Sequence, residues 1–387
     1  MFKILTLNNI SVRGLERLPR DRYEIASEMG HPDAILVRSA DVHSIEIPPS
    51  VVAVARAGAG TNNIPVTRLS QRGIPVFNAP GANANAVKEL VLAGLFIAAR
   101  NICQAWSFVR SLEGDDHALE AAMEQGKKKF VGFELPGRTL GVVGLGAIGV
   151  EVANAALALR MKVLGYDPQI TVQRAWQLSS GVEQALSLDD LFARCDVVTV
   201  HVPLTDQTRS LVSAARLKLM RPGSVILNFA RGPIVDDQAV LAALDGGQLT
   251  SYVCDFPTSA IKSHPKVVAL PHLGASTGEA EENCAVMVAD TLRDFLENGN
   301  VRNSVNFPEA VLPRVGGHRI AIANANVPNM VGQISTSLAE ARLNIADLLN
   351  KSRGEVAFTL IDTDAPIGPE VVSRICAIPG VLSVRLV

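Results

Sequence analysis

Residues Gly144-Leu145-Gly146-Ala147-Ile148-Gly149 space three glycines as G-x-G-x-x-G, directly after the apolar run TLGVVG and at the head of the helical stretch VEVANAALAL. Glycines at this spacing permit a tight turn and close backbone approach, so that the N–H groups opening a helix face a pyrophosphate. The next strand ends at Asp167, about 20 residues on, where a carboxylate bonds both hydroxyls of a ribose. That carboxylate repels a 2′-phosphate, and no Arg or Lys lies between it and Arg174, so the pattern predicts NAD rather than NADP. Gly144, Gly146, Ala147, Ile148, Gly149 and Asp167 are the expected cofactor residues.

A cradle of this kind needs a parallel sheet to carry it. From about residue 139 to 275, runs rich in Val, Ile and Leu alternate with helical stretches: TLGVVG, KVLGY, DVVTVHV, SVILNFA, SYVCD and VVAL. Several are apolar on successive residues, as strands buried on both faces are. Residues 1 to about 90 repeat the style, with KILTL, AILV, VVAVA and PVF as expected strands between Gly, Pro and Asn turns. Ser276 and Glu279 form an S-x-x-E capping box that opens a long helix to about Leu296. The stretch 298–317 is rich in Asn, Pro and Gly, lacks a period and reads as a linker. Residues 318–387 parse as strand, helix (329–341), strand, strand, helix (369–377), strand, the ferredoxin-like βαββαβ order.

Composition narrows the classes further. The 387 residues exceed one ordinary core, and 48% hydrophobic with 19% charged residues belongs to a globular protein. A net charge of -2 with dispersed basic residues argues against nucleic acid as a partner. The N-terminus lacks a secretory signal, and the apolar run 87–99 is too short and too charged to span a membrane. Five cysteines without CxxC spacing (Cys103, Cys195, Cys254, Cys284, Cys376) suit neither a disulfide framework nor a zinc site, so no metal is expected and a reducing cytoplasm is.

Four further motifs, in order, make the chain resemble the D-isomer-specific 2-hydroxyacid dehydrogenases: ARAGAGTNNI (55–64), HVPLTDQTR (201–209), NFARGPIVDD (228–237) and LPHLGAST (270–277). The resemblance implies an NAD-dependent dehydrogenase of 2-hydroxy acids. Its chemistry needs a cation for the substrate carboxylate and a proton donor beside the ketone oxygen. Arg231 and His272 fall on the family positions for these roles. An arginine fork pairs a carboxylate bidentately, and histidine exchanges protons near neutral pH. The family loops add His201, Val202, Pro203, Thr208, Ala230, Asp255, His272 and Gly274 as cofactor contacts, and Ala57, Gly58 and Asn78 as substrate contacts.

One stretch departs from the family pattern. Members usually carry D-V-F-x-x-E-P, whose Glu hydrogen-bonds the histidine and raises its pKa. Here residues 254–264 read CDFPTSAIKSH, without a Glu. Asp255 aligns better with the family aspartate that meets the nicotinamide carboxamide than with the missing Glu, so two readings stay open: His272 is tuned differently from the family histidine, or Lys262 is its partner.

Within the family the chain resembles the phosphoglycerate dehydrogenases, in KFVGFELPGRTLGVVGLGAIG, in the turn 78–83 and in PHLGAST. A phosphate on the substrate calls for basic groups, and Arg38, Arg56 and Lys88 of the first domain are the candidates. The tail resembles an ACT domain, with Asn324, Asn326 and Asn344 on the positions that bind an amino-acid effector, L-serine in the sensitive relatives. Such relatives form homodimers or homotetramers. The implied layout is a flavodoxin-like substrate domain (1–92 with 280–305), a Rossmann-type doubly wound NAD domain (93–279), a linker (306–317) and a ferredoxin-like ACT domain (318–387). Two alternatives stay open: a hydroxypyruvate or glyoxylate reductase, and an NAD-sensing scaffold like the C-terminal-binding-protein corepressors.

Overall fold

The computed structural model describes residues 1–314 and 317–387. The chain forms two compact units, Met1–Asn83 with Gly278–Val387, and Ala84–Thr277. The sequence reading placed the first crossing after residue 92. The helix Ala84–Arg100 is instead continuous, and its buried face (Val87, Val91, Leu95, Ala99) packs with the second unit's strands. Lys88 is thereby carried by the second unit, not the first domain where the sequence reading put it.

The first unit begins with β1 (Phe2–Leu7), β2 (Tyr23–Ala26), β3 (Ala34–Val37), β4 (Ala53–Arg56) and β5 (Val76–Phe77). They form a parallel sheet in the order β2-β1-β3-β4-β5, the flavodoxin-type winding. The second unit holds β6 (Thr139–Val143), β7 (Lys162–Tyr166), β8 (Val182–Gln184), β9 (Val197–Val200), β10 (Ser224–Asn228), β11 (Leu249–Cys254) and β12 (Val267–Ala269). Their order, β12-β11-β10-β9-β6-β7-β8, is parallel throughout and reverses direction between β6 and β9. In open α/β sheets this switch point leaves a crevice at the strands' carboxyl ends, where ligands bind.

The chain returns to the first unit through the helix Gly278–Asn298 and then builds β13 (His318–Ala325), β14 (Ile345–Arg353), β15 (Val356–Thr363) and β16 (Val381–Leu386). These are antiparallel in the order β14-β15-β13-β16, with helices Met330–Glu340 and Pro369–Cys376 completing the ferredoxin-like βαββαβ. Strand alternation sorts the two faces. Ile320, Ile322 and Ile361 pack on the helices, whereas Ala321, Ala323, Phe358 and Leu360 join the core around Phe77, Phe295 and Phe307.

The segment after the long helix is irregular yet packed. Val301 pairs with Ala310, and Phe307, Ala310 and Leu312 are buried. Residues 315 and 316 of the expected linker lie outside the described residues. The last carbonyls of Gly278–Asn298, which have no partner inside a helix, each receive an arginine. Arg385 donates to Phe295 and Leu296, Arg314 to Glu297 and Arg319 to Asn298. Positive charge there also suits the negative end of the helix dipole.

Candidate active site

The glycine turn sits between β6 and the helix Ala147–Ala158. Gly144 has φ +92°, and a Cβ on it would lie 2.8 Å from the His201 carbonyl oxygen. A Cβ on Gly149 would lie 1.9 Å from the Gly144 carbonyl oxygen, so the helix packs against its own entry strand only with glycine there. Gly146 differs: nothing lies within 4 Å of its would-be Cβ, which leaves open space where a phosphate would sit. Gly146 makes no side-chain cap, so the N–H groups that open the helix are available to an anion.

Asp167, just beyond β7, ties this turn down. Its Oδ2 accepts from the Leu145 N–H and its Oδ1 from the Gln169 N–H, both at 2.9 Å. The expected bonds to both ribose hydroxyls remain open to it, since each oxygen holds one backbone N–H and has a second lone pair to offer. His201 follows β9, and its N–H donates to the Val143 carbonyl at 2.7 Å. Its Nε2 meets Thr199 Oγ1 at 3.0 Å, its Nδ1 has no partner among the described residues, and burial pushes its pKa down to about 4. A ring held neutral in this way is no proton donor near pH 7. The loop beyond is closed by Thr208, whose Oγ1 donates to the Pro203 carbonyl at 2.6 Å.

Arg231 lies past the end of β10, on a turn built by the buried Asn228. The Asn228 Oδ1 accepts from the Ala230 N–H at 3.1 Å, and its Nδ2 donates to the Arg231 carbonyl at 3.0 Å. The Arg231 side chain is exposed, donates once to the Ala230 carbonyl at 2.6 Å and forms no ion pair among the described residues, its charge acting on the Asp255 carboxyl without direct contact. Its guanidinium carbon lies 5.3 Å from the centre of the Phe256 ring.

His272 is exposed with φ +39°, a left-handed backbone that costs a non-glycine residue free energy. Its N–H donates to the Asp255 carbonyl at 2.9 Å, and its ring centre lies 4.3 Å from that of Phe256. The Asp255 carboxyl is buried. Oδ2 accepts from the Gly274 N–H at 3.3 Å, Oδ1 has no partner among the described residues, and burial raises the pKa. A buried acceptor without a donor suits an amide such as a nicotinamide carboxamide. Lys262 is exposed, with its N–H on the Thr258 carbonyl; the side chain packed on the imidazole is that of Phe256.

The first unit carries the other expected substrate residues apart from Lys88. Arg56 Nε donates to the Arg38 carbonyl at 3.0 Å, and its guanidinium fills the space where a Cβ on Gly58 would be, 2.5 Å from Nη1. Ala57 is buried, the Ala79 N–H donates to the Gly58 carbonyl, and Asn78 Nδ2 donates to the Ala59 carbonyl, so the two loops form one piece. Arg38 pairs with Glu281 of the long helix, a partner the sequence reading missed because 243 residues separate them. In the second unit, Lys88 donates to Asn85 one helical turn earlier.

The tail asparagines do not meet within one chain. Asn324 is buried, with Nδ2 donating to the Ala325 carbonyl and Oδ1 accepting from Thr359. Asn326 Nδ2 donates to the Gly354 carbonyl. Asn324 faces Ala357 across β15, whereas Asn344 precedes Ile345, which faces Thr363. At ~3.3 Å per residue this separates Asn324 from Asn344 by roughly 20 Å.

The D-isomer specific 2-hydroxyacid dehydrogenase NAD-binding domain matches residues 92–274. D-3-phosphoglycerate dehydrogenase of Haemophilus influenzae is 32% identical over 354 residues, 88% of this chain and 82% of that protein. That of Archaeoglobus fulgidus is 37% identical over 297 residues, and the match spans only 54% of its length. The crystal structure of an NAD-bound 3-phosphoglycerate dehydrogenase from Entamoeba histolytica superimposes with a TM-score of 0.60 at 26% identity, covering 79% of this chain and 98% of that one.

Proposed function

Because this chain belongs to the D-isomer specific 2-hydroxyacid dehydrogenase family, an NAD-dependent one, we propose that it interconverts 3-phosphoglycerate and 3-phosphohydroxypyruvate. The observation that carries the chemistry is a guanidinium and an imidazole, both against Phe256 in the unit that holds the glycine turn, with no carboxylate paired to the first and no hydrogen bond to the nitrogens of the second among the described residues. The substrate follows from the relatives above, which are named for it.

The glycine turn, Asp167 and the Asp255 Oδ1 that has no partner among the described residues would hold NAD, which when bound would supply the acceptor for the hydride of the 2-hydroxy carbon. Arg231 pairs with the substrate carboxylate through its fork and polarises the neighbouring carbon–oxygen bond. His272 takes the hydroxyl proton during oxidation and returns it to the ketone oxygen during reduction. Arg56 is assigned to the phosphate, while Arg38 stays with Glu281 and steadies it.

The tail is read as an ACT domain, with L-serine bound between two copies of the chain rather than within one, since Asn324 and Asn344 lie apart. The five free cysteines suit a reducing cytoplasm, and no helix among the described residues is long and apolar enough to cross a membrane.

The deciding assay is NADH consumption with 3-phosphohydroxypyruvate beside hydroxypyruvate, glyoxylate, pyruvate and 2-oxoglutarate. Preference for the phosphorylated acid is expected. Preference for an unphosphorylated one would overturn the substrate while keeping the Arg231 and His272 roles, and no turnover of any would revive the NAD-sensing scaffold.

A further inference from the structure

We propose that Phe256 is a positioning residue for catalysis, an aromatic platform that holds both the Arg231 guanidinium and the His272 imidazole without occupying their hydrogen-bonding groups. The inference rests on the reading of those two residues as the catalytic pair.

Both groups face the same difficulty. Arg231 is a long, exposed side chain whose charge has to stay available to a substrate carboxylate, and a protein carboxylate would fix it only by taking its fork. The face of an aromatic ring attracts a guanidinium while the in-plane N–H donors stay open. Phe256 lies at that distance, 5.3 Å from the guanidinium carbon; among the described residues one short hydrogen bond, to the Ala230 carbonyl, and the charge of the nearby Asp255 carboxyl supplement it.

The same ring meets the imidazole at 4.3 Å between centres with planes tilted by 44°. Contact through the ring leaves the two nitrogens free to move a proton. The neighbouring Asp255 carbonyl holds the His272 backbone at its left-handed φ, so two adjacent residues fix this histidine, one at its backbone and one at its ring. In this chain the stretch 254–264 has no glutamate to hold the histidine, and the ring is the side chain placed against it. Rigid placement of reacting groups is itself a large part of catalysis, and a displacement of about 1 Å costs on the order of a hundredfold.

The test compares full-length Phe256→Leu, Phe256→Met, Phe256→Tyr and His272→Ala proteins, using NADH and the 2-keto acid that the parent enzyme reduces fastest. Leu and Met keep an apolar side chain and remove the ring; Tyr keeps the ring. The expected result is a KM for the keto acid raised about tenfold and a lowered kcat in Leu and Met, with NADH affinity within about twofold of the parent, and recovery in Tyr. Parent-like kinetics in Leu or Met, or a Tyr variant as impaired as Leu, would overturn the proposal. If one of the aliphatic variants does not fold, the other carries the comparison. His272→Ala separates the two readings: its full activity would remove the catalytic pair itself, whereas an inactive His272→Ala beside parent-like Phe256 variants would remove only the role of Phe256.

Discussion

Arg319 and Asp362 form a fully buried, two-pronged ion pair across β13 and β15, with Nε–Oδ1 at 2.6 Å and Nη2–Oδ2 at 2.7 Å. The remaining guanidinium donors go to the carbonyls of Asn298, Leu312 and Pro313. The pair therefore fixes the C-terminal sheet to the end of the long helix and to the segment that follows it.

Removing one partner leaves the other charge buried. Asp362→Ala is expected to destabilise the first unit by about 3–5 kcal/mol, while Arg319→Met with Asp362→Leu loses less, because no unpaired charge remains. Urea unfolding of the three proteins checks this; equal losses in the single and double variants would show that the pair itself, not the stranded charge, sets the cost.

His201 makes stability depend on pH. An unfolded imidazole titrates near 6.5 and the folded one at about 4, so the unfolded chain binds more protons between those values. The contribution is complete above pH 6.5 and is lost as the pH falls toward 4. It amounts to about 1–3 kcal/mol, since water reaching the partly covered ring lessens the full effect. His201→Gln is expected to flatten this part of the curve of unfolding free energy against pH. Parallel curves for parent and variant would rule the residue out as the titrating group.

Much of this was legible from the chain itself. Long apolar runs such as SVILNFA and the glycine spacing at 144–149 report buried parallel strands and a tight strand-to-helix turn directly, because both depend on local residue types. The edge strands β2 and β8 were missed: YEIA and VEQ are short and half polar, and pairing with β1 and β7 forms them. Phe256 and Asn228 carried no sign of their contacts. An aromatic residue in a loop and an asparagine at a strand end gain meaning only once β10 and β11 lie side by side. The Arg38–Glu281 pair depends on a helix that returns to the first sheet from the far end of the chain.

Asp167 is expected to set the cofactor preference through charge. Replacing it with Ser removes the carboxylate that repels a 2′-phosphate, and the ratio of kcat/KM for NADH over NADPH is expected to fall about tenfold or more. NADH use should also weaken, because the Leu145 N–H loses its acceptor and the glycine turn loosens. Steady-state kinetics with both cofactors measures the ratio, and an unchanged value would mean that discrimination comes from elsewhere in the site.

Asn228 links the sheet to Arg231, the arginine proposed to pair with the substrate carboxylate. Its amide satisfies the Ala230 N–H and the Arg231 carbonyl, its Nδ2 lies 3.4 Å from the Tyr252 hydroxyl, and its own carbonyl accepts from the Asp255 N–H. Asn228→Ala strands two backbone groups and should cost about 1–3 kcal/mol of stability. Asn228→Asp keeps the acceptor for Ala230 but turns an oxygen toward the Arg231 carbonyl, so the turn carrying the guanidinium must shift. The Asp variant is expected to raise the KM for the keto acid far more than that for NADH. A variant whose two KM values rise together would instead report a general loosening of the unit, with no particular hold on Arg231.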